Sequence, residues 1–189
     1  MNRCEWANSS KIMQDYHDIE WGVPVHEDNL LFEFLCLEGA QAGLSWSTIL
    51  RRRETYRKVF DNFNPKKISK YTEKKIEVLM NNKGIIRNRK KIESVISNAK
   101  AFREIQKEFG SFDNYIWGWV NHKIIHNNWK SLKEIPAITE ISKNMSKELK
   151  KYGFTFVGPT ICYAFMQAIG MVNDHILKCF RHKEIQSFE

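Results

Sequence analysis

The 189-residue sequence predicts an all-α protein on three observations. Apolar residues recur at a 3.6-residue period, strand-like alternation is scarce, and the ends of the periodic runs carry helix punctuation. The runs are Leu30, Leu31, Phe34, Leu35 and Leu37, then Ile49, Leu50, Tyr56, Val59 and Phe60, then Ile92, Val95, Ile96, Ala99 and Phe102. Asp28 and Ser45 are placed to cap helix N-termini, Asn64-Pro65 reads as a cap followed by a first-turn proline, and Gly110, Gly153 and Gly170 fall near helix ends. About seven to nine short helices are expected, in one compact domain spanning residues 1–189. The polar stretch from His122 to Thr139 keeps Trp129, Leu132, Ile135 and Ile138 as packing anchors, so it reads as an ordered connection.

A hydrophobic content of 42% with 13% aromatic residues excludes intrinsic disorder. The net charge of +8 is unevenly placed. Residues 1–50 hold 2 basic and 8 acidic side chains, net −6, whereas residues 51–107 hold 18 and 6, net +12. A polyanionic partner met by the middle third is expected. The N-terminus has no apolar run after Arg3 and does not read as a secretory signal, so a cytoplasmic protein is expected. The 22 uncharged residues from Tyr152 to Asn173 are long enough for a membrane span, but Gly153, Gly158-Pro159 and Gly170 divide them into a turn and a short helix. A buried hairpin is expected there, and no membrane contact.

Of the four cysteines, Cys36 and Cys162 lie on apolar helical faces and read as core. Cys179 follows His175 by four residues, which on a helix shares one face, and Cys4 and His17 lie near the other terminus. Two thiolates and two imidazoles make up a tetrahedral zinc shell without an open position. Read alone, the pattern fits such a structural zinc and also fits four satisfied core groups.

Lys147 to Tyr152 reads as a helix end, Gly153 to Thr160 as a tight turn and Ile161 to Ala168 as the next helix. This resembles a helix-hairpin-helix over about residues 147–168, whose second helix would point unsatisfied N–H groups at a phosphate. The alternative is an ordinary helical turn. Trp6, Trp21 and Trp46 fall in the acidic first quarter with Tyr16 and Glu38, a composition suited to a pocket that stacks a flipped base with an acid at its edge. Glu38 ends an apolar helix, where an unpaired carboxylate is costly. The same residues also read as core tryptophans beside a solvated acid.

Taken together, Arg3-Cys4-Glu5-Trp6, Tyr16 to Pro24, Leu37 to Trp46, Gly84 to Arg87, Phe154 to Tyr163 and Val172 to His175 closely resemble the 3-methyladenine DNA glycosylase I family. The match runs from residue 3 to about residue 179. The resemblance implies a helix-hairpin-helix glycosylase fold with one structural Zn2+ held by Cys4, His17, His175 and Cys179, stapling residues 4–17 to 175–179. It implies hydrolytic removal of 3-methyladenine from alkylated double-stranded DNA, in base excision repair by a monomer, leaving an abasic site. Trp46 would stack on the base, Tyr16 and Glu38 would contact its edge, and Trp6 and Trp21 would wall the pocket. Methylation at N3 makes the adenine cationic, which favours an electron-rich aromatic box with a carboxylate. Gly158, Pro159 and Thr160 would meet the DNA backbone, Arg51 to Arg53 or Lys83 to Lys91 would track phosphates, and Leu44 would fill the vacated stack.

Related glycosylases carry a catalytic aspartate in a Val-Asp-Thr-His-type run. Here the run is Val172-Asn173-Asp174-His175, with Asn173 at that place and Asp174 one residue on. Glu38 is therefore expected to take over recognition, and with it water positioning. The hairpin turn holds no lysine, so a monofunctional enzyme without a Schiff-base step is expected. Two other readings stay open: a non-catalytic zinc-stabilised protein that only binds DNA, and an enzyme acting on a broader set of alkylpurines.

Overall fold

The computed structural model describes residues 2–188. A 3-10 turn at Glu5–Ser9 leads into α1 (Lys11–Ile19), followed by α2 (Asp28–Gln41), α3 (Trp46–Leu50), α4 (Arg53–Val59), α5 (Pro65–Ile68), α6 (Glu73–Met80), α7 (Arg89–Phe109) and α8 (Phe112–Gly118). Strand β1 (Ile125–His126), a 3-10 turn at Leu132–Glu134, α9 (Glu140–Lys151), α10 (Pro159–Ala168), β2 (Val172–Asn173) and α11 (Phe180–Ile185) complete the order. Eleven α-helices among the described residues exceed the seven to nine expected, because the run from Ile49 to Phe60 breaks at Arg51-Arg52 into α3 and α4 and several connections close single turns. Nor are all of them short, since α7 has 21 residues. The only strand pairing among the described residues is parallel, Ile125 with Val172 and His126 with Asn173.

Helix α2 is the centre of the fold. Every residue from Leu31 to Ala40 is buried, as a helix apolar on all sides requires, and α2 packs against α3, α7, α8 and α10. Its N-cap is Glu27, not Asp28: the Glu27 carboxylate accepts from the backbone N–H groups of Asn29 and Leu30 at 2.9 and 2.7 Å. Asp28 lies one residue inside the helix and reaches across to α8, accepting from the N–H groups of Phe112 and Asp113. Ser45 caps α3 and Asn64 caps α5 with Pro65 at its first position, as expected.

Cys36 and Cys162 are buried in the core. In the connection before α9, Trp129, Leu132 and Ile135 pack against the core, whereas Ile138, expected as a fourth anchor, is 39% exposed. No described helix is long and apolar enough to cross a membrane.

Candidate active site

The tryptophans of the first quarter converge. Trp6 comes from the first 3-10 turn, Tyr16 from α1, Trp21 from the turn after it, and Trp46 opens α3, where the Ser45 hydroxyl accepts from the Thr48 N–H at 3.3 Å. The Trp6 and Trp21 rings meet edge to face at 5.0 Å, and Tyr16 meets Trp46 at 5.5 Å. With Glu38 and Thr160 they line one cavity of about 460 Å³. That volume lies within the usual range for a small-molecule site.

Glu38 is one turn from the end of α2 and 5% exposed. It has no hydrogen-bond partner among the described residues, and burial alone pushes its carboxyl up from 4.5 to about 8. Among the described residues it is the only carboxylate lining the cavity. The Tyr16 hydroxyl is held well above its ordinary value, first by burial and then by the charges of Glu38 and Glu20. The site is thus an apolar aromatic box whose single acid is biased by burial toward its neutral form.

The hairpin lies where the sequence predicts, except that α10 opens two residues earlier, at Pro159 instead of Ile161, because proline suits a first helical turn. Gly153, after α9, has φ +94°, a conformation that favours glycine. Asn98 on α7 pins the turn, donating to the Thr155 carbonyl at 3.0 Å and accepting from its N–H at 2.8 Å. The turn packs onto the helix that carries the acid: a Cβ on Gly39 would lie 3.2 Å from Phe156 Cβ. Gly158 caps α10, and a Cβ there would meet nothing within 4 Å, so its backbone is open to approach. Gly158 and Pro159 do not line the cavity, but Pro159 borders a second hollow of about 410 Å³ with Lys143, Lys147, Lys150 and Lys151. Lys147 and Lys150 make no ion pair among the described residues.

The basic runs proposed as phosphate tracks are partly occupied, although Arg51, Lys83, Arg87 and Lys90 stay exposed. Arg53 is 6% exposed, its guanidinium donating to the carboxylates of Glu33 and Glu20 and lying over the Phe34 ring. The Arg53 expectation is therefore corrected: a surface charge run is interrupted by a buried ion pair. Lys91 donates to the carbonyls of Ala40 and Ala42 at the end of α2, and Arg89 pairs with Glu73 and Glu93. Leu44 is 39% exposed at the tip of the turn after α2, where Gly43 has φ +78°.

Cys4, His17, His175 and Cys179 are all buried, with ligand atoms within 4.8 Å of one another, and could hold a metal ion. The pair His175 and Cys179 is not on a helix. It spans a turn closed by the Cys179 N–H on the Ile176 carbonyl, and α11 begins only at Phe180. Sulfur-to-nitrogen separations are 3.8 Å for Cys4 to His175, 3.3 Å for Cys179 to His17 and 3.5 Å for Cys179 to His175. A tetrahedral centre with ordinary Zn–S and Zn–N bonds spaces such atoms about 3.6 Å apart. Each imidazole commits its other nitrogen: His17 Nδ1 donates to Asp18 at 2.8 Å and His175 Nε2 to the Trp21 carbonyl at 3.0 Å. That fixes the tautomer which turns a lone pair inward. Of the two thiols, Cys179 is pushed toward the thiolate, first by the hydrogen bond from Cys4 and then by the two imidazoles.

Neither residue of the aspartate-like run lines the cavity. Asn173 is buried, donating to the His182 carbonyl and accepting from the His175 N–H. Asp174 is 1% exposed and accepts hydrogen bonds from Asn127, Trp129, Tyr163 and Gln167, so a free base at this position is absent. Sequence reasoning missed Tyr163 and Gln167, which do line the cavity. Their one signal was their place on α10, three and seven residues after Thr160.

Residues 6–182 match the sequence profile of a family described as methyladenine glycosylase. A DNA-3-methyladenine glycosylase of Haemophilus influenzae is 50% identical over 177 residues, covering 94% of this chain and 96% of the relative. A solved structure of 3-methyladenine DNA glycosylase I superposes with a TM-score of 0.92 at 47% identity, over 95% of this chain and 98% of the other. The Staphylococcus aureus 3-methyladenine DNA glycosylase I, solved to show the basis of 3-methyladenine recognition, superposes with a TM-score of 0.92 at 34% identity, over 95% and 96%.

Proposed function

The chain belongs to the methyladenine glycosylase family, and from that premise we propose that it excises 3-methyladenine from alkylated DNA by hydrolysis of the N-glycosidic bond, leaving an abasic site. The observation that carries this reading is the unpartnered, buried Glu38 carboxyl inside an aromatic cavity. Such a box is poor for a neutral polar ligand and good for a flat cation.

A nucleotide flipped from the duplex brings its N3-methylated, positively charged base between Trp46 and the Trp6 and Trp21 wall, with Tyr16 and Glu38 at its edge. The arriving charge pulls Glu38 to its carboxylate, and the attraction is strong because the carboxyl is buried. The base is already a good leaving group, so extrusion and charge complementarity supply much of the rate enhancement, and water is the nucleophile. No lysine lies in the hairpin turn, which favours a monofunctional enzyme. Gly158, Pro159 and Thr160 with the lysines of α9 would meet the DNA backbone, and Leu44 would enter the vacated stack. We read the Cys/His cluster as a structural zinc site. Bound zinc would supply a closed cross-link between the two ends of the chain and no Lewis-acid chemistry, since four protein ligands leave no open position.

The test is chromatography of bases released from N-methyl-N-nitrosourea-treated DNA. Release of 3-methyladenine that Glu38→Gln loses supports the reading. No release from folded protein points to a module that only binds DNA, and co-release of 7-methylguanine to a broader enzyme.

A further inference from the structure

We propose that Asp174 is a positioning residue that sets the Gln167 amide as a hydrogen-bond acceptor facing the base cavity, where it reads the exocyclic amine of the bound purine. The inference rests on the base-cavity reading above and adds a selectivity device to it. Asp174 Oδ1 accepts from Asn127 Nδ2 at 2.7 Å and Trp129 Nε1 at 2.8 Å. Its Oδ2 accepts from the Tyr163 hydroxyl at 2.6 Å and Gln167 Nε2 at 2.7 Å. A carboxylate only accepts and an indole N–H only donates, so the polarity of this network is set.

The consequence lies with the two donors that also line the cavity, Tyr163 and Gln167. A carboxamide held by its nitrogen turns its oxygen the other way, and Gln167 Oε1 has no donor among the described residues. Having donated its proton to Asp174, the Tyr163 hydroxyl offers only lone pairs. This stretch of wall therefore presents acceptors. On an N3-methylated adenine nucleotide the exocyclic amine is the only N–H donor of the base. A 6-oxo purine would set a carbonyl against those lone pairs, and a site built to pair an N–H rejects the analogue that lacks it.

The experiment measures binding of free 3-methyladenine and 3-methylhypoxanthine by quenching of tryptophan fluorescence, in wild type, Asp174→Asn and Gln167→Leu. Wild type should prefer 3-methyladenine by at least about tenfold. In Asp174→Asn the amide oxygen must stay on Trp129, so the new Nδ2 faces Gln167 and turns its amide, putting an NH2 into the cavity. The preference should then collapse or reverse. In Gln167→Leu the ratio should fall toward one with Asp174 intact. A purely structural Asp174 would weaken both bases by the same factor, and that result, or an unchanged ratio in both folded variants, overturns the inference. If Asp174→Asn does not fold, Gln167→Leu decides alone. Equal binding of both bases by wild type overturns the inference and leaves the cavity reading standing, whereas binding of neither overturns both.

Discussion

His175 Nε2 donates to the Trp21 carbonyl at 3.0 Å, and the two rings lie edge to face at 4.5 Å. A residue of the Cys/His cluster and a residue of the cavity wall thus hold each other, and His17 makes a similar edge contact with Trp6 at 5.2 Å. The cluster is built into the wall of the aromatic cavity.

Cys179→Ser should therefore cost both metal and pocket. We expect close to one zinc per wild-type chain by plasma emission spectrometry and little in the variant. The melting temperature should fall by about 10 °C, the shift that roughly 3 kcal/mol produces in a chain of this size. Tryptophan emission should move to the red as Trp21 and Trp6 loosen. Full zinc loading of the variant would contradict the ligand assignment.

Glu38 makes stability depend on pH in a direction opposite to most carboxylates. Its folded value is raised from 4.5 to about 8, so between these pH values the unfolded chain loses a proton that the folded chain keeps. The contribution is full below about pH 4.5 and is lost as pH rises through about 8. Urea unfolding of wild type minus Glu38→Gln should show a difference that grows by a few kcal/mol from pH 5 to pH 8, in favour of the variant. A flat difference would show a carboxyl already ionised in the folded protein.

Gly170 and Gly110 separate conformational strain from collision. Both have positive φ, +77° and +85°, but a Cβ on Gly110 meets open space, while one on Gly170 would lie 2.6 Å from Pro24 N and Val23 C. Gly110→Ala should cost about 1 kcal/mol in urea unfolding. Gly170→Ala should cost several times more, because backbone must move.

Arg53 and Lys147 test the corrected map of charge. Arg53→Met strands part of the buried Glu33 carboxylate and should destabilise by about 3 kcal/mol without changing the salt dependence of DNA binding. Lys147→Ala should lower the slope of log affinity against log salt by about 0.9, one phosphate contact, with little effect on stability. The reverse pattern would restore residues 51–53 as the phosphate track.

The residues that sequence reasoning found are those whose type is unusual for its surroundings. Three tryptophans in an acidic quarter, an acid in Leu37-Glu38-Gly39 and thiols beside imidazoles at both ends all announce chemistry locally. What it missed was set by partners far along the chain. Arg53 looks like one of three surface arginines until Glu20 and Glu33 close on it, and Gln167 looks like an ordinary helix residue until Asp174 fixes its amide. Glu27 displaces Asp28 as the cap because both offer a carboxylate and only the backbone decides which stands outside the helix. A spacing of four joins His175 to Cys179, but a turn meets it as well as a helix does.

The cluster pairs residues 171 apart in Cys4 and His175, and 162 apart in His17 and Cys179. Contacts of such high order form late, after nearly the whole chain has been closed into one loop. On the ribosome, Trp6, Tyr16 and Trp21 emerge well before His175 and Cys179, so Cys4 and His17 wait for both before the cluster can close. A chain that has not yet reached His175 and Cys179 therefore lacks the closed cluster that backs the Trp6 and Trp21 wall.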